Sequence, residues 1–205
     1  MKPFIGIYNK SVLMTYFGVL SAVLGIYLAV TSQLRGALLC IIVCGVCDLF
    51  DGVIARRCKR SDAEKEFGVQ IDSLADMISF AALPIALFIG AGLTKPYHIA
   101  AAGVYVLTAI TRLGFFNISA AKSLEKPGSY TGLPVTYAAP VFTAAILVCS
   151  RLPQAAGEIV LCGVMLAVAA LYILNIRIPK PRGIAYVLFG LLAIGLAAAV
   201  IFLGV

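Results

Sequence analysis

At 205 residues, 62% of them hydrophobic and with a mean hydropathy of +1.04, the chain is too apolar for a soluble domain, where roughly 45–50% is usual. Composition specifies an all-α polytopic membrane protein, residues 1–205 forming one transmembrane domain with no separate soluble part. The net charge of +7 suits anionic lipid headgroups rather than nucleic acid.

Apolar windows of about 20 residues mark membrane-spanning helices. Seven are predicted, over 11–31, 36–57, 70–92, 98–120, 133–150, 157–176 and 184–204. The first is longer than the roughly 7–15 residues of a signal-peptide core, and no small-x-small site follows, so a retained helix is expected. The second contains "CGVC" at 44–47. A redox or zinc motif needs an accessible thiolate at a helix start or knuckle. In mid-helix these cysteines read as small packing residues. The second span also carries Asp48 and Asp51, and the third opens with Asp72 and Asp76. The polar linker between them, "RRCKRSDAEKEFG", places Asp62, Glu64 and Glu66 on a solvated face. His98, the single histidine, falls near a loop and calls for no chemistry. The fourth span holds Arg112, the one basic residue inside a span. It must face the bundle or a wet cavity, beside a substrate anion or a bundle carboxylate.

Loop charges set the orientation. Twelve lysines and arginines fall on one side, among them Arg56, Arg57, Arg60, Lys122, Lys126, Arg177 and Lys180. Three, Arg35, Lys95 and Arg151, fall on the other. This bias puts the N-terminus and the loop after Asp51 in the cytoplasm, and an odd span count puts the C-terminus outside.

The aspartates carry the chemistry. Asp48 and Asp51 are three residues apart and Asp72 and Asp76 four, so each pair shares one helix face. A short linker makes the two helices antiparallel neighbours whose acidic faces meet near the cytoplasmic end. Four carboxylates in a poorly solvated spot repel. Two divalent cations remove the repulsion, and hard oxygen ligands suit Mg²⁺ or Mn²⁺. Capping of a helix N-terminus by Asp72 or Asp76 is the plainer alternative. A pair of such ions at the bilayer edge serves chemistry on a phosphate or pyrophosphate. Gly52 removes a side chain where a ligand approaches, or else permits tight helix packing. Arg56 lies within reach of a phosphate. A cation channel or transporter, with the aspartates as transport site, is a distant alternative.

The stretches "DLFDGVIAR" and, eleven residues on, "GVQIDSLAD" fit D-x-x-D-G-x-x-A-R…G-x-x-x-D-x-x-x-D. In this the chain resembles the CDP-alcohol phosphotransferase family. The resemblance implies a homodimer around a six-helix core, which makes the seventh span a C-terminal addition. It implies that Asp48, Asp51, Asp72 and Asp76 bind the metals and that Asp76 is also the catalytic base. Asp48, Gly52, Ala55 and Arg56 would contact the CDP part of a CDP-linked lipid, with CMP as leaving group. "GVQIDSLADMISFAALP" (68–84), "RLGFFN" (112–117) and "YTGLP" (130–134) resemble the phosphatidylserine synthase branch. Phe115 departs from that branch, which has a second arginine there. The acceptor implied is L-serine and the donor CDP-diacylglycerol or an ether analogue. Inositol phosphate or glycerol phosphate as acceptor is the alternative. Arg112, Asn117 and Lys122 would form the serine or phosphate pocket, although Lys122 and Lys126 equally suit positive-inside anchoring.

Overall fold

Short polar breaks divide the apolar runs into antiparallel rods, and a computed structural model shows how they pack. It describes residues 6–7, 10–57, 60–121, 129–181 and 183–204. Helix α1 (Lys10–Val30) lies along α2 (Leu34–Arg57). Their seam consists of small residues: Ala22 and Ala29 on α1 meet Ala37, Cys40, Cys44 and Cys47 on α2, all buried. At Gly25 a Cβ would lie 2.8 Å from the Cβ of Cys40, so the approach needs glycine. Cys44 Sγ donates to the Gly18 carbonyl at 3.3 Å. The cysteines are thus packing residues at this seam.

The third rod begins earlier than expected from hydropathy. Helix α3 (Asp62–Met77) starts at a capping box in which the Ser61 hydroxyl accepts from Glu64 N–H and the Glu64 carboxylate accepts from Ser61 N–H. The residues taken as linker, including exposed Asp62 and half-buried Glu64, are therefore two turns of helix. Asp72 and Asp76 lie well inside it and do not cap it. After Met77 the helix widens into a π turn, Ile78–Ala82, and continues as α4 (Leu83–Gly90). The Leu83 N–H bonds to the Ile78 carbonyl, five residues back. Pro84 accounts for the widening. It has no N–H for the Phe80 carbonyl, and its ring clashes there in α geometry.

Helix α5 (Pro96–Ala121) is followed by a short strand β1 (Ser129–Thr131), a 3₁₀ turn (Val135–Tyr137) and α6 (Ala138–Cys149). Helix α7 (Gln154–Ile173), strand β2 (Arg177–Pro179) and α8 (Ile184–Leu203) complete the chain. Strands β1 and β2 pair antiparallel, Tyr130 opposite Ile178. The fifth predicted span, 133–150, is shorter than expected. Its first residues form the bend that follows β1, where the Leu133 N–H donates to the Leu171 carbonyl at 3.1 Å, and Pro134 leaves the chain extended there.

Among the described residues, six rods are long and apolar enough to cross a membrane, with Val135–Cys149 as a shorter seventh. The chain is an all-α, integral, multi-pass membrane protein. Its core runs through Phe80, Leu87, Tyr105, Phe142, Met165 and Tyr172. Leu13, Phe17 and Leu20 on α1 and Leu188, Leu191 and Phe202 on α8 are exposed, as lipid-facing residues are. At the end away from the aspartates, Lys95 Nζ pairs with buried Glu158 at 2.5 Å and Arg151 donates to the Leu203 carbonyl.

Candidate active site

Side chains three or four apart on a helix project together, and the α2–α3 hairpin turns the two acidic faces toward each other. One carboxylate oxygen each from Asp48, Asp72 and Asp76 lies within 4.8 Å of the other two. Hard divalent ions hold oxygens at about 2.0–2.6 Å, so oxygens on one ion lie at most about 5 Å apart. The trio is half-buried, and its all-oxygen donor set fits Mg²⁺ or Mn²⁺ rather than zinc. Asp51 stands outside the trio. It is 9% exposed, lines a recess together with Asp72, and its Oδ2 accepts from Thr15 Oγ1 at 3.2 Å.

Two recesses flank the aspartates, and Gly52 lines both. The smaller, about 120 Å³, holds Asp51, Asp72, Thr15, Arg60 and Gly68 and is partly polar. The larger, about 180 Å³, starts at Asp48 and Gly52 and runs between α2, α6 and α8 past Val46, Tyr137, Phe189 and Ala193. Tyr137 and Phe189 meet edge to face there, ring centroids 5.6 Å apart. A charged head at the aspartates with an apolar tail along α8 fits this shape.

Arg112 is 4% exposed. Its Nε donates to the Leu133 carbonyl at 3.1 Å, and its guanidinium stands 5.6 Å from the Phe116 ring centroid. Gly132 makes that approach possible. It has φ 76°, and a Cβ on it would lie 2.8 Å from the Tyr172 carbonyl and 3.3 Å from Arg112 Nε. The "RLGFFN" and "YTGLP" stretches are therefore two halves of one contact. Asn117 joins α5 to α3: its Oδ1 accepts from Ser73 Oγ at 2.7 Å, and its Nδ2 donates to Gln70 at 3.4 Å. Among the expected donor contacts, Ala55 and Arg56 belong to α2, but their side chains lie outside the described residues, as do Lys122 and Lys126 entirely.

Three features escaped the sequence. Thr15 bonds Asp51 from 36 residues away, and Ser73 bonds Asn117 from 44 away; no local spacing signals either. Lys180 Nζ lies 4.7 Å from the Tyr130 ring centroid, across the β1–β2 pair at the mouth of the larger cleft.

The sequence profile of the family described as CDP-alcohol phosphatidyltransferase matches residues 9–203. The chain is similar to the archaetidylserine synthase of Methanothermobacter thermautotrophicus, 32% identical over 165 residues, which is 80% of this chain and 66% of that protein. It is also similar to two proteins named CDP-diacylglycerol–serine O-phosphatidyltransferase. That of Saccharomyces cerevisiae is 33% identical over 46% of this chain and 35% of its own length. That of Helicobacter pylori strain J99 is 26% identical over 64% of this chain and 56% of its own length. The chain thus spans from about a third to about two-thirds of these relatives.

Proposed function

The chain belongs to the CDP-alcohol phosphatidyltransferase family, and from that premise we propose that it transfers the phosphatidyl group of a CDP-linked lipid to L-serine. The observation that carries this reading is the Asp48, Asp72 and Asp76 trio at the head of an apolar cleft. The serine named in three relatives supports the acceptor. The donor is CDP-diacylglycerol or its ether-linked analogue.

Asp48, Asp51, Asp72 and Asp76 are the residues to hold two divalent cations, Mg²⁺ or Mn²⁺. Such ions, when bound, neutralise the pyrophosphate and stabilise the leaving phosphate. The serine hydroxyl oxygen forms a bond to the lipid-side phosphorus. The bond from that phosphorus to the bridging oxygen breaks, CMP leaves with the electron pair, and the Asp76 carboxylate takes the hydroxyl proton. Gly52 borders the CDP group, and the family resemblance assigns the same contact to Ala55 and Arg56, a turn further on α2. The α2–α6–α8 cleft holds a tail, so reactive phosphorus and lipid anchor are fixed together. Arg112 stabilises the wall formed by Leu133 and borders the acceptor pocket with Asn117; the family resemblance assigns Lys122 to the same pocket. The charge bias of the loops supports an active site and N-terminus at the cytoplasmic face, and the family resemblance supports a homodimer.

The test offers purified protein CDP-diacylglycerol with labelled L-serine, inositol phosphate or glycerol phosphate, with and without a chelator. CMP release that depends on serine and is lost to the chelator is the expected result. Release driven by a phosphorylated alcohol and not by serine overturns the acceptor assignment.

A further inference from the structure

The π turn two residues after Asp76 is held open from both sides of its backbone. In an α-helix the Phe80 carbonyl accepts from residue 84, which is Pro84 and has no N–H. A buried carbonyl without a donor is destabilising. Here a side chain from another helix supplies the donor: the hydroxyl of Tyr105, a residue with no exposed surface, donates to the Phe80 carbonyl. Tyr105 is fixed in turn. Its Oη lies 3.2 Å from Tyr172 Oη, and its ring packs on Phe142, centroids 5.4 Å apart. Each hydroxyl has one proton. With that of Tyr105 given to Phe80, the proton of Tyr172 is left for Tyr105 Oη or for the Val135 carbonyl, also at 3.2 Å.

A π turn takes one residue more than an α turn. It therefore sets the rotation of the Asp72–Asp76 face relative to the part of the rod anchored in the core at Leu83 and Leu87. We propose that Tyr105 and Pro84 are positioning residues for the acidic centre: together they hold the π turn that aims Asp72 and Asp76 at Asp48. This rests on the metal-site reading above, and neither residue touches substrate. Groups that orient metal ligands typically change affinity about 10–100-fold when removed.

The test is Mn²⁺ binding by purified protein, read from the electron paramagnetic resonance of free Mn²⁺, beside thermal unfolding. Wild type should bind, and Asp76→Asn should bind weakly. Tyr105→Phe, which loses one oxygen and keeps the ring, should raise the Mn²⁺ Kd about 10-fold while remaining folded. Pro84→Ala restores an N–H to residue 84 and lets the turn close. It should raise the Kd in the same direction, although alanine is the better helix former. It carries the test if Tyr105→Phe does not fold. A wild-type chain that binds no Mn²⁺ overturns the metal-site reading and this inference with it. Binding by wild type with unchanged affinity in the folded variants overturns the inference alone.

Discussion

Asp76 lies one helical turn after Asp72, in the trio with Asp48. As the proton acceptor it contributes about 10²–10⁴ in rate, so Asp76→Asn should lose at least about 100-fold in serine-dependent CMP release with its elution volume and unfolding temperature retained. Thr15 is a subtler case. Thr15→Val keeps the shape but leaves Asp51, 9% exposed, without its hydroxyl donor. Hydrogen bonds to charged groups are worth about 1.5–3 kcal/mol. The variant should unfold at a lower temperature in chelator and recover part of the loss when Mn²⁺ is added. At Gly132 the backbone is left-handed and the Tyr172 carbonyl is 2.8 Å from the missing Cβ. Gly132→Ala should cost roughly 1–3 kcal/mol and release Arg112 from Leu133. The acidic centre was legible because its ligands repeat at helical spacing within 29 residues. Arg112 was legible as a buried cation but not in its partner. That partner, the Leu133 carbonyl, is a backbone atom 21 residues away, and backbone acceptors leave no mark in a sequence.

Hydropathy locates helices by their apolar length, and it misplaced the two elements whose ends are set by something else. Helix α3 extends outward past the apolar run because Ser61 and Glu64 cap it; the S-x-x-E spacing was present in the linker, where hydropathy gave it no weight. Helix α6 is cut short because its approach is tied to β2 and to Leu171, a long-range pairing with no periodic signal. The π turn is half legible: Pro84 announces a disturbance, but only the Tyr105 hydroxyl decides its form. The capped extension separates from the chemistry. Ser61→Ala should cost about 1 kcal/mol and speed hydrogen exchange in the first turns of α3, while serine-dependent turnover stays at the wild-type level, because Asp72 lies more than two turns further in. A loss of turnover equal to that of Asp76→Asn would mean that the polar turns hold a substrate.

The two ends of the molecule divide the work. One is tied by Lys95 to Glu158 and by Arg151 to the end of α8. The other collects the acids, the β1–β2 pair and the cleft mouth. A lipid substrate must reach the acids from within the bilayer, and the opening between α2, α6 and α8 is the described route whose wall is apolar from the acids outward. Helix α8 packs against α2 and α6 yet buries only Val200. Its inner face is thus free to line a tail rather than to fill a core. Ala193 lies on that face and is small. Ala193→Trp should place an indole where the tail runs and raise the KM for a long-tailed CDP-lipid at least about 10-fold, since a misfit of one methylene in an apolar pocket already costs about 1–3 kcal/mol. A donor with short tails, ending before Ala193, should lose far less, and Mn²⁺ binding should not change because the acids are untouched. Equal losses with both donors would place the tail elsewhere on the bundle and leave α8 as a lipid-facing support. Loss confined to the long-tailed donor would make α8 the wall that measures it.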